Sequence, residues 1–229
     1  MRSQRERIHL QGSWGGSKLL RVVALSRCAG PERDSGWKSF NLPVSLQPMS
    51  KKILIVTDDA GESLEIYYAK HRFLEAGYAP VIAATKVKRL HGVIHDFSPD
   101  WNTYIEKPGY LIQSDLTFDR VKVRDYKAIM LIGGRAPEFL RHNPALIKIV
   151  QEFDRQEKWI FSICHGIQIL IAAGLVQGRT LTCYENVRLE LELGGGTWVN
   201  RPSVVDGNII SSQTWESHPE FYRHIFQEL

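Results

Sequence analysis

KWIFSICHGIQILI, residues 158–171, changes from a strand pattern to a helix pattern within one residue. The apolar run ends at Cys164, and apolar residues then recur at helical spacing up to Gly174, a residue suited to a helix C-cap. Such a bend is typical of a nucleophile elbow, in which one strained residue stands above the following helix. Because a helix N-terminus stabilises a thiolate, we interpret Cys164 as a nucleophile. The alternative is a buried structural cysteine.

Strand patterns alternate with helix patterns through most of the chain. Continuous apolar runs of the kind buried in parallel sheets occupy residues 53–57, 80–84 and 128–132. A strand, a helix and a strand within about 30 residues form a βαβ unit. The pattern therefore predicts an α/β protein with a mostly parallel sheet and helices on both faces. Ligands of such sheets bind at the carboxyl ends of the strands, where the Gly133-Gly134 turn and Cys164 both lie.

The composition indicates a globular protein of a reducing compartment. The chain has 229 residues, of which 43% are hydrophobic and 24% are charged. Three cysteines provide no disulfide framework, so we expect a cytoplasmic location. No apolar run reaches the roughly 20 residues that span a bilayer, and we expect no membrane partner.

Residues 1–48 differ from the rest of the chain. They carry eight Lys or Arg against three acidic residues, a net of +5, which leaves −1 of the formal +4 for residues 49–229. The α/β domain is thus expected to span 49–229 and to bind no nucleic acid. We interpret 1–48 as a disordered extension, either an organelle-targeting segment or the result of a start codon assigned too early. We favour the second interpretation because Met49 directly precedes the first strand.

Several residues could assist Cys164, and each also has an ordinary structural explanation. The backbone N–H of His165 is the expected first donor of an oxyanion hole, and Gly134 could supply the second or be a plain turn glycine. Glu65 could be a desolvated carboxyl that hydrogen-bonds the thiolate, or a solvated residue favoured by the helix dipole. Glu138 follows a proline and could likewise only complement a helix dipole.

Residues 86–112 show no clear pattern. A connection of this length usually serves function or builds a subsidiary sheet. We expect it to form a lid or pocket wall, with Trp101 and Tyr104 as packing anchors. A metal site at its His and Asp residues is disfavoured because no thiolate joins them and nothing fixes their spacing. We expect no metal and no cofactor. The residues concerned are His91, His95, Asp96 and Asp100.

Five motifs in the right order make the chain after Met49 resemble the ThiJ/PfpI superfamily, most closely its PfpI branch. They are EIYYAKHR (65–72), SDLTFD (114–119), GGRAPE (133–138), SICHG (162–166) and VDGN (205–208). The resemblance implies a flavodoxin-like three-layer α/β/α sandwich. It also implies that Cys164 is the nucleophile and that Glu65 is the protonated carboxyl that holds its thiolate. Finally, it implies a homo-oligomer in which Glu138 orients His165 of the adjacent subunit.

Two features depart from the short PfpI pattern. The segment after His95 is longer, and together with residues 194–198 and 218–221 it is more similar to plant glyoxalase-type members. His218 and Glu220 also resemble the His-x-Glu pair of class I glutamine amidotransferases. However, those enzymes normally lack a histidine directly after the nucleophile, so amidotransferase activity is disfavoured. His218 is either a pocket residue or a packing and capping residue.

The leading hypothesis from these residues is a cofactor-free cysteine enzyme that acts on methylglyoxal-like carbonyls, as a glyoxalase or deglycase. Cys164 would add to the aldehyde, and Glu65 or His165 would move a proton between adjacent carbons. One alternative is an intracellular cysteine peptidase that uses Cys164, His165 and a neighbour's Glu138. A second alternative is a non-enzymatic stress protein in which Cys164 senses oxidants.

Overall fold

The structure is a computed structural model that describes residues 52–229, and the expectations about residues 1–48 lie outside this range. Eleven strands are described within it: β1 Lys52–Val56, β2 Ala79–Ala84, β3 Arg89–Phe97, β4 Tyr104–Gln113, β5 Leu116–Thr117, β6 Tyr126–Leu131, β7 Trp159–Ile163, β8 Thr180–Leu181, β9 Thr197–Trp198, β10 Ser203–Asp206 and β11 Ile209–Ser212. The α-helices in the same range are α1 Ser63–Glu75, α2 Ala136–Leu140, α3 Pro144–Arg155, α4 Ile167–Ala172, α5 Arg188–Leu193 and α6 His218–Glu228. Within these residues, no helix has the length and apolarity needed to cross a bilayer.

Seven strands form one sheet in the order β10-β11-β7-β6-β1-β2-β5. All neighbours run parallel except β10 and β11, which form an antiparallel hairpin around Gly207 at φ 57°. With its flanking helices, the sheet is the predicted flavodoxin-like α/β sandwich. The Asp206-Gly207 pair at this hairpin is a local signal typical of a tight turn. Strands β1, β6 and β7 are central, so their carboxyl ends lie side by side.

The core explains why these segments take their forms. Residues 53–56 of β1 are completely buried, as expected of a strand covered on both faces. Helix α3 begins where the Asn143 side chain accepts hydrogen bonds from the N–H groups of Ala145 and Leu146, and it buries an apolar face against β6 and β7. Helices α1 and α6 meet through Phe73 and Phe226, whose ring centroids lie 6.0 Å apart.

The apolar residues of α1 do not all face the core. Leu64 fits the helical spacing of the buried apolar residues, but it is 47% exposed. The face that packs on the sheet is formed by Ile66, Ala69 and Phe73, and it includes the buried carboxyl of Glu65. A polar residue thus occupies a core position next to the strand ends.

Most of the segment 86–112 belongs to an antiparallel hairpin of β3 and β4, whose register shifts between His91 and Val93. A subsidiary sheet was one of the two outcomes expected for this segment. The base of the hairpin is fastened to the β1–α1 loop by two hydrogen bonds, from Val93 N–H to the Gly61 carbonyl at 2.9 Å and from Ala60 N–H to the His91 carbonyl at 2.7 Å. Trp101 was expected to be a packing anchor, but it lies in the turn between the strands and is 59% exposed. The hairpin therefore brings other residues, not Trp101, to the strand ends.

Candidate active site

Cys164 lies at the sharp turn after β7. Its φ is 58°, a left-handed conformation that costs a non-glycine residue energy and is typical of nucleophile elbows. A 3₁₀ turn, Cys164–Gly166, leads into α4. A Cβ on Gly166 would lie 2.4 Å from the Leu131 carbonyl oxygen, so the turn needs glycine to pack against β6. The thiol is buried but faces a cavity.

Glu65 approaches Cys164 from the first turn of α1. Its Oε2 accepts the N–H of Gly133 at 2.8 Å, and its carboxyl is hydrogen-bonded to Cys164. The residue is 1% exposed. Burial raises the pKa of Glu65 well above its ordinary value, and the nearby charge of Glu62 adds to the effect. Both effects favour the protonated carboxyl, which can donate a hydrogen bond to a thiolate.

The charge on Cys164 depends on that proton. Burial raises the pKa of the Cys164 thiol, and an ionised Glu65 would raise it further. The backbone N–H groups of His165 and Gly134 are hydrogen-bonded to the sulfur and act in the opposite direction. Two negative charges cannot coexist in this buried pair, so a thiolate forms on the sulfur only while Glu65 keeps its proton. The helix N-terminus by itself is therefore not sufficient to stabilise the Cys164 thiolate.

His165 contacts the nucleophile directly. Its Nδ1 lies 3.3 Å from the Cys164 sulfur. Burial lowers the pKa of His165 to about 4, so the ring is neutral at neutral pH. The ring packs against those of Tyr184 and Tyr104, with centroids at 5.3 and 5.9 Å. His165 is thus positioned to exchange a proton with the sulfur and not to pair with it as a cation.

Neighbouring atoms lie so close to the backbone at positions 133 and 134 that only glycine fits at either position. A Cβ on Gly133 would lie 2.6 Å from the Cβ of Cys164 and 2.8 Å from Oε2 of Glu65. Gly134 has a φ of 76°, and a Cβ there would lie 2.4 Å from the Ala60 carbonyl oxygen. The turn after β6 therefore closes the site without a side chain of its own.

A narrow cavity, with room for about one water molecule, opens above the sulfur. Its lining combines carboxyl groups, a histidine and aromatic rings: Glu62, Glu65, His95, Phe97, Tyr104, Cys164, Tyr184, Thr214 and Trp215. Drug-sized ligands usually occupy pockets of roughly 300–1,000 Å³, so this cavity is far too small for a ligand of that size. Oε1 of Glu62 and Oε1 of Glu65 are buried and lack a hydrogen-bond partner among the described residues. They are available to a bound polar group.

The remaining residues predicted for the site lie in different places. Tyr104 lines the cavity, whereas Trp101 does not. His218 is also outside the lining; it is buried, with its ring stacked on Tyr68 at 4.4 Å. Glu138 is exposed on α2, and it is not hydrogen-bonded to His165 of the same chain in the part of the chain described.

The sequence analysis missed several lining residues. Glu62 could have been identified from its position directly before a helix, where a side chain can act as a cap. Its Oε2 caps α1 by accepting the Glu65 N–H at 2.9 Å. His95 was considered only as a metal ligand, and no cluster of three or more His, Cys, Asp or Glu suited to a metal occurs within 52–229. Tyr184 and Trp215 come from distant loops and had no local signal.

The fold and site define an α/β protein with a cysteine at a strained elbow and a buried carboxyl beside it. The sequence profile of the DJ-1/PfpI family matches residues 51–228, and the chain belongs to that family. The resemblance noted above is thereby confirmed.

Two relatives illustrate the range of the family. Protein DJ-1 homolog D of Arabidopsis thaliana is 41% identical over 182 residues, which are 75% of this chain and 46% of that protein. Deglycase PfpI of Pyrococcus furiosus is 38% identical over 162 residues, 71% of this chain and 89% of its own. The chain thus spans less than half the length of the plant relative.

Solved structures support the same fold. A two-domain protein from Anabaena variabilis, with DJ-1/ThiJ/PfpI-like and ferritin-like domains, superposes with a TM-score of 0.69 at 25% identity over 78% of this chain and 48% of its own. Schizosaccharomyces pombe DJ-1 gives a TM-score of 0.64 at 21% identity over 78% of this chain and 91% of its own. The second likeness concerns the fold alone.

Proposed function

We propose that the protein is a cysteine-dependent enzyme that converts small 2-oxoaldehydes, such as methylglyoxal, to hydroxy acids without glutathione. The observation that carries the proposal is the buried contact between Cys164 and the Glu65 carboxyl at the floor of a narrow cavity. Relatives named deglycases support an enzyme of the DJ-1/PfpI type.

The first step is addition to the aldehyde. The Cys164 thiolate bonds to the aldehyde carbon, and the Glu65 carboxyl gives its proton to the aldehyde oxygen, which forms a hemithioacetal. The N–H groups of Gly134 and His165, which face the sulfur, are suited to hold the developing oxygen charge.

The second step is a proton shift within the adduct. The Glu65 carboxylate takes the proton from the carbon bonded to sulfur and gives it to the neighbouring carbon through an enediolate. The hydroxyl proton moves to the second oxygen, and a hydroxyacyl thioester of Cys164 results. Water then hydrolyses the thioester, and Cys164 and Glu65 recover their single shared proton.

The cavity favours this reaction over peptide hydrolysis. The cavity above the sulfur is narrow and enclosed by side chains, and a three-carbon carbonyl needs far less room there than an extended peptide. The peptidase alternative also requires Glu138 of an adjacent subunit. A single subunit already contains the groups that the carbonyl reaction needs.

The test is methylglyoxal consumption and lactate formation by the full chain in the absence of glutathione, compared with Cys164→Ala. We expect turnover in the wild type and none above background in the variant. Cys183→Ala is the matched control, since Cys183 is also a buried free cysteine but does not line the cavity. Equal rates in the wild type and Cys164→Ala would refute the proposal.

A further inference from the structure

His95 has the surroundings of an oriented base. It lies on β3 directly opposite Glu106 of β4, and its Nε2 is 3.1 Å from Oε2 of Glu106. Its ring is stacked on Tyr104 with centroids 3.9 Å apart, and the residue is 3% exposed. Glu106 and Tyr104 therefore hold the ring in one orientation.

Arg135 keeps Glu106 ionised. The guanidinium donates two hydrogen bonds to the carboxylate, from Nε at 2.5 Å and from Nη2 at 2.7 Å. This contact is the main reason that the pKa of Glu106 lies below its ordinary value. An ionised carboxylate can only accept hydrogen bonds, so Nε2 of His95 must carry the proton. The lone pair of the neutral ring is then on Nδ1.

The contact between Arg135 and Glu106 joins the hairpin to the turn after β6, which contains Gly134. Arg135 directly follows Gly134, whose N–H is hydrogen-bonded to the Cys164 sulfur. The ring of His95 and the sulfur of Cys164 line the same small cavity. A water molecule in this cavity would therefore lie between His95 and an acyl group on Cys164.

We propose that His95, oriented by Glu106 and Arg135, is the general base that activates water for hydrolysis of the Cys164 thioester. This inference rests on the proposed function. The water oxygen bonds to the thioester carbonyl carbon while its proton passes to Nδ1 of His95. The carbon–sulfur bond breaks with its electron pair on sulfur. His95 then gives its proton to the Glu65 carboxylate, which restores the starting state.

This assignment separates two roles. Glu65 and His165 contact the sulfur and serve bond formation to Cys164. His95 is on the hairpin, on another part of the cavity wall, where it serves the removal of the acyl group. The base must be neutral to act, and burial lowers the pKa of His95 below its ordinary value, although Glu106 and Glu138 oppose the shift and Arg135 assists it. Neutral His95 is thus the dominant form at neutral pH.

The experiment measures the two halves of the reaction separately in the full chain. Methylglyoxal consumption is followed from the first turnover, and samples are quenched in acid, freed of methylglyoxal and treated with hydroxylamine, which converts a thioester to a hydroxamate. For His95→Gln we expect an initial burst equal to the enzyme concentration, a steady rate lowered about 10²-fold or more, and accumulated hydroxamate. Glu106→Gln, which permits the other His95 tautomer, should slow the same step.

Lys107→Gln is the matched control. Lys107 is on the same strand as Glu106 and forms an ion pair with Asp96, but it does not line the cavity. It should behave as the wild type. A wild type with no turnover and no adduct on Cys164 would refute the proposed function itself. A wild type that turns over would overturn the His95 assignment if His95→Gln keeps the full rate, or if it loses the rate without accumulating thioester. The burst amplitude reports whether each variant has an intact Cys164 site.

Discussion

The Glu65 carboxyl and the Gly133 backbone N–H are joined by a hydrogen bond of 2.8 Å that crosses from α1 to the end of β6. Strands β1 and β6 are neighbours in the sheet, so the acid that follows β1 and the turn that follows β6 converge. The position of the carboxyl beside Cys164 is therefore set by strand order as well as by its own helix.

Glu65→Gln should separate thiolate stabilisation from proton transfer. The amide oxygen can still accept the Gly133 N–H, and the amide nitrogen can donate to the thiolate, but the side chain no longer moves a proton. We expect alkylation of Cys164 by iodoacetamide to persist while methylglyoxal turnover falls about 10²-fold or more. Glu65→Ala is the comparison and should impair both. Full turnover by Glu65→Gln would show that another group moves the proton.

Gly133→Ala should abolish activity and lower stability. The added Cβ would lie 2.6 Å from the Cβ of Cys164, and overpacking of this kind costs about 1–3 kcal/mol. Gly77→Ala is the control, because Gly77 has a φ of 78° with no atom within 4 Å of an added Cβ. It should lose about 1–2 kcal/mol through backbone strain alone and keep its activity. Urea unfolding and methylglyoxal turnover measure the two effects. An active Gly133→Ala would contradict the close approach.

Glu62→Ala should destabilise α1, because the Glu62 side chain accepts the Glu65 N–H at the start of that helix. Loss of such a cap costs about 1 kcal/mol. Glu62→Gln keeps an oxygen that can accept this bond and should remain closer to the wild type. The free energies of unfolding in urea give the comparison. Equal losses in the two variants would mean that the cap contributes little.

Acid should destabilise the fold through its buried histidines. Burial lowers the pKa of His165 and of His218 to about 4, whereas an unfolded histidine titrates near 6.5. Between these values the unfolded chain binds more protons, so the free energy of unfolding falls as the pH drops from about 6.5 to 4. The loss approaches about 3 kcal/mol for each histidine.

His218→Phe tests this pH dependence away from Cys164. The phenyl ring can keep the stack on Tyr68 and removes a buried Nε2 that has no partner among residues 52–229. The variant should lose less stability than the wild type between pH 7 and pH 4.5, as measured by urea unfolding. Parallel pH profiles for the two proteins would indicate that His218 does not carry the effect.

Local sequence patterns were sufficient to predict the main strands and helices and the sharp turn at Cys164. The continuous apolar run of β1, the change of period at Cys164 and the Asp206-Gly207 turn each reflect interactions within a few residues. Convergence of Gly133 and Cys164 followed from a general rule about parallel sheets. These parts of the site are properties of short segments placed in a known kind of sheet.

The cavity wall was not predictable in the same way. His95 reaches the site because β3 pairs with β4 and the hairpin is fastened to the β1–α1 loop, and neither contact has a local signature. Tyr184 and Trp215 join it from other loops. Leu64 shows the converse error, since its spacing fits the buried face although its side chain is exposed. Side chains at a site between elements depend on tertiary contacts that a periodic pattern does not contain.

The turn between β3 and β4, residues 98–103, lies beyond the point where the hairpin is anchored. Val93 of β3 is bonded to Gly61 at the base, and Glu106 of β4 is held by Arg135. Thr103, at the end of the turn, is hydrogen-bonded to Tyr184 of the cavity wall, so residues 98–102 are the part that can change with least effect on His95. This part offers a place to graft a binding loop or a fluorescent reporter, with exposed Trp101 as the natural attachment point next to a working catalytic wall.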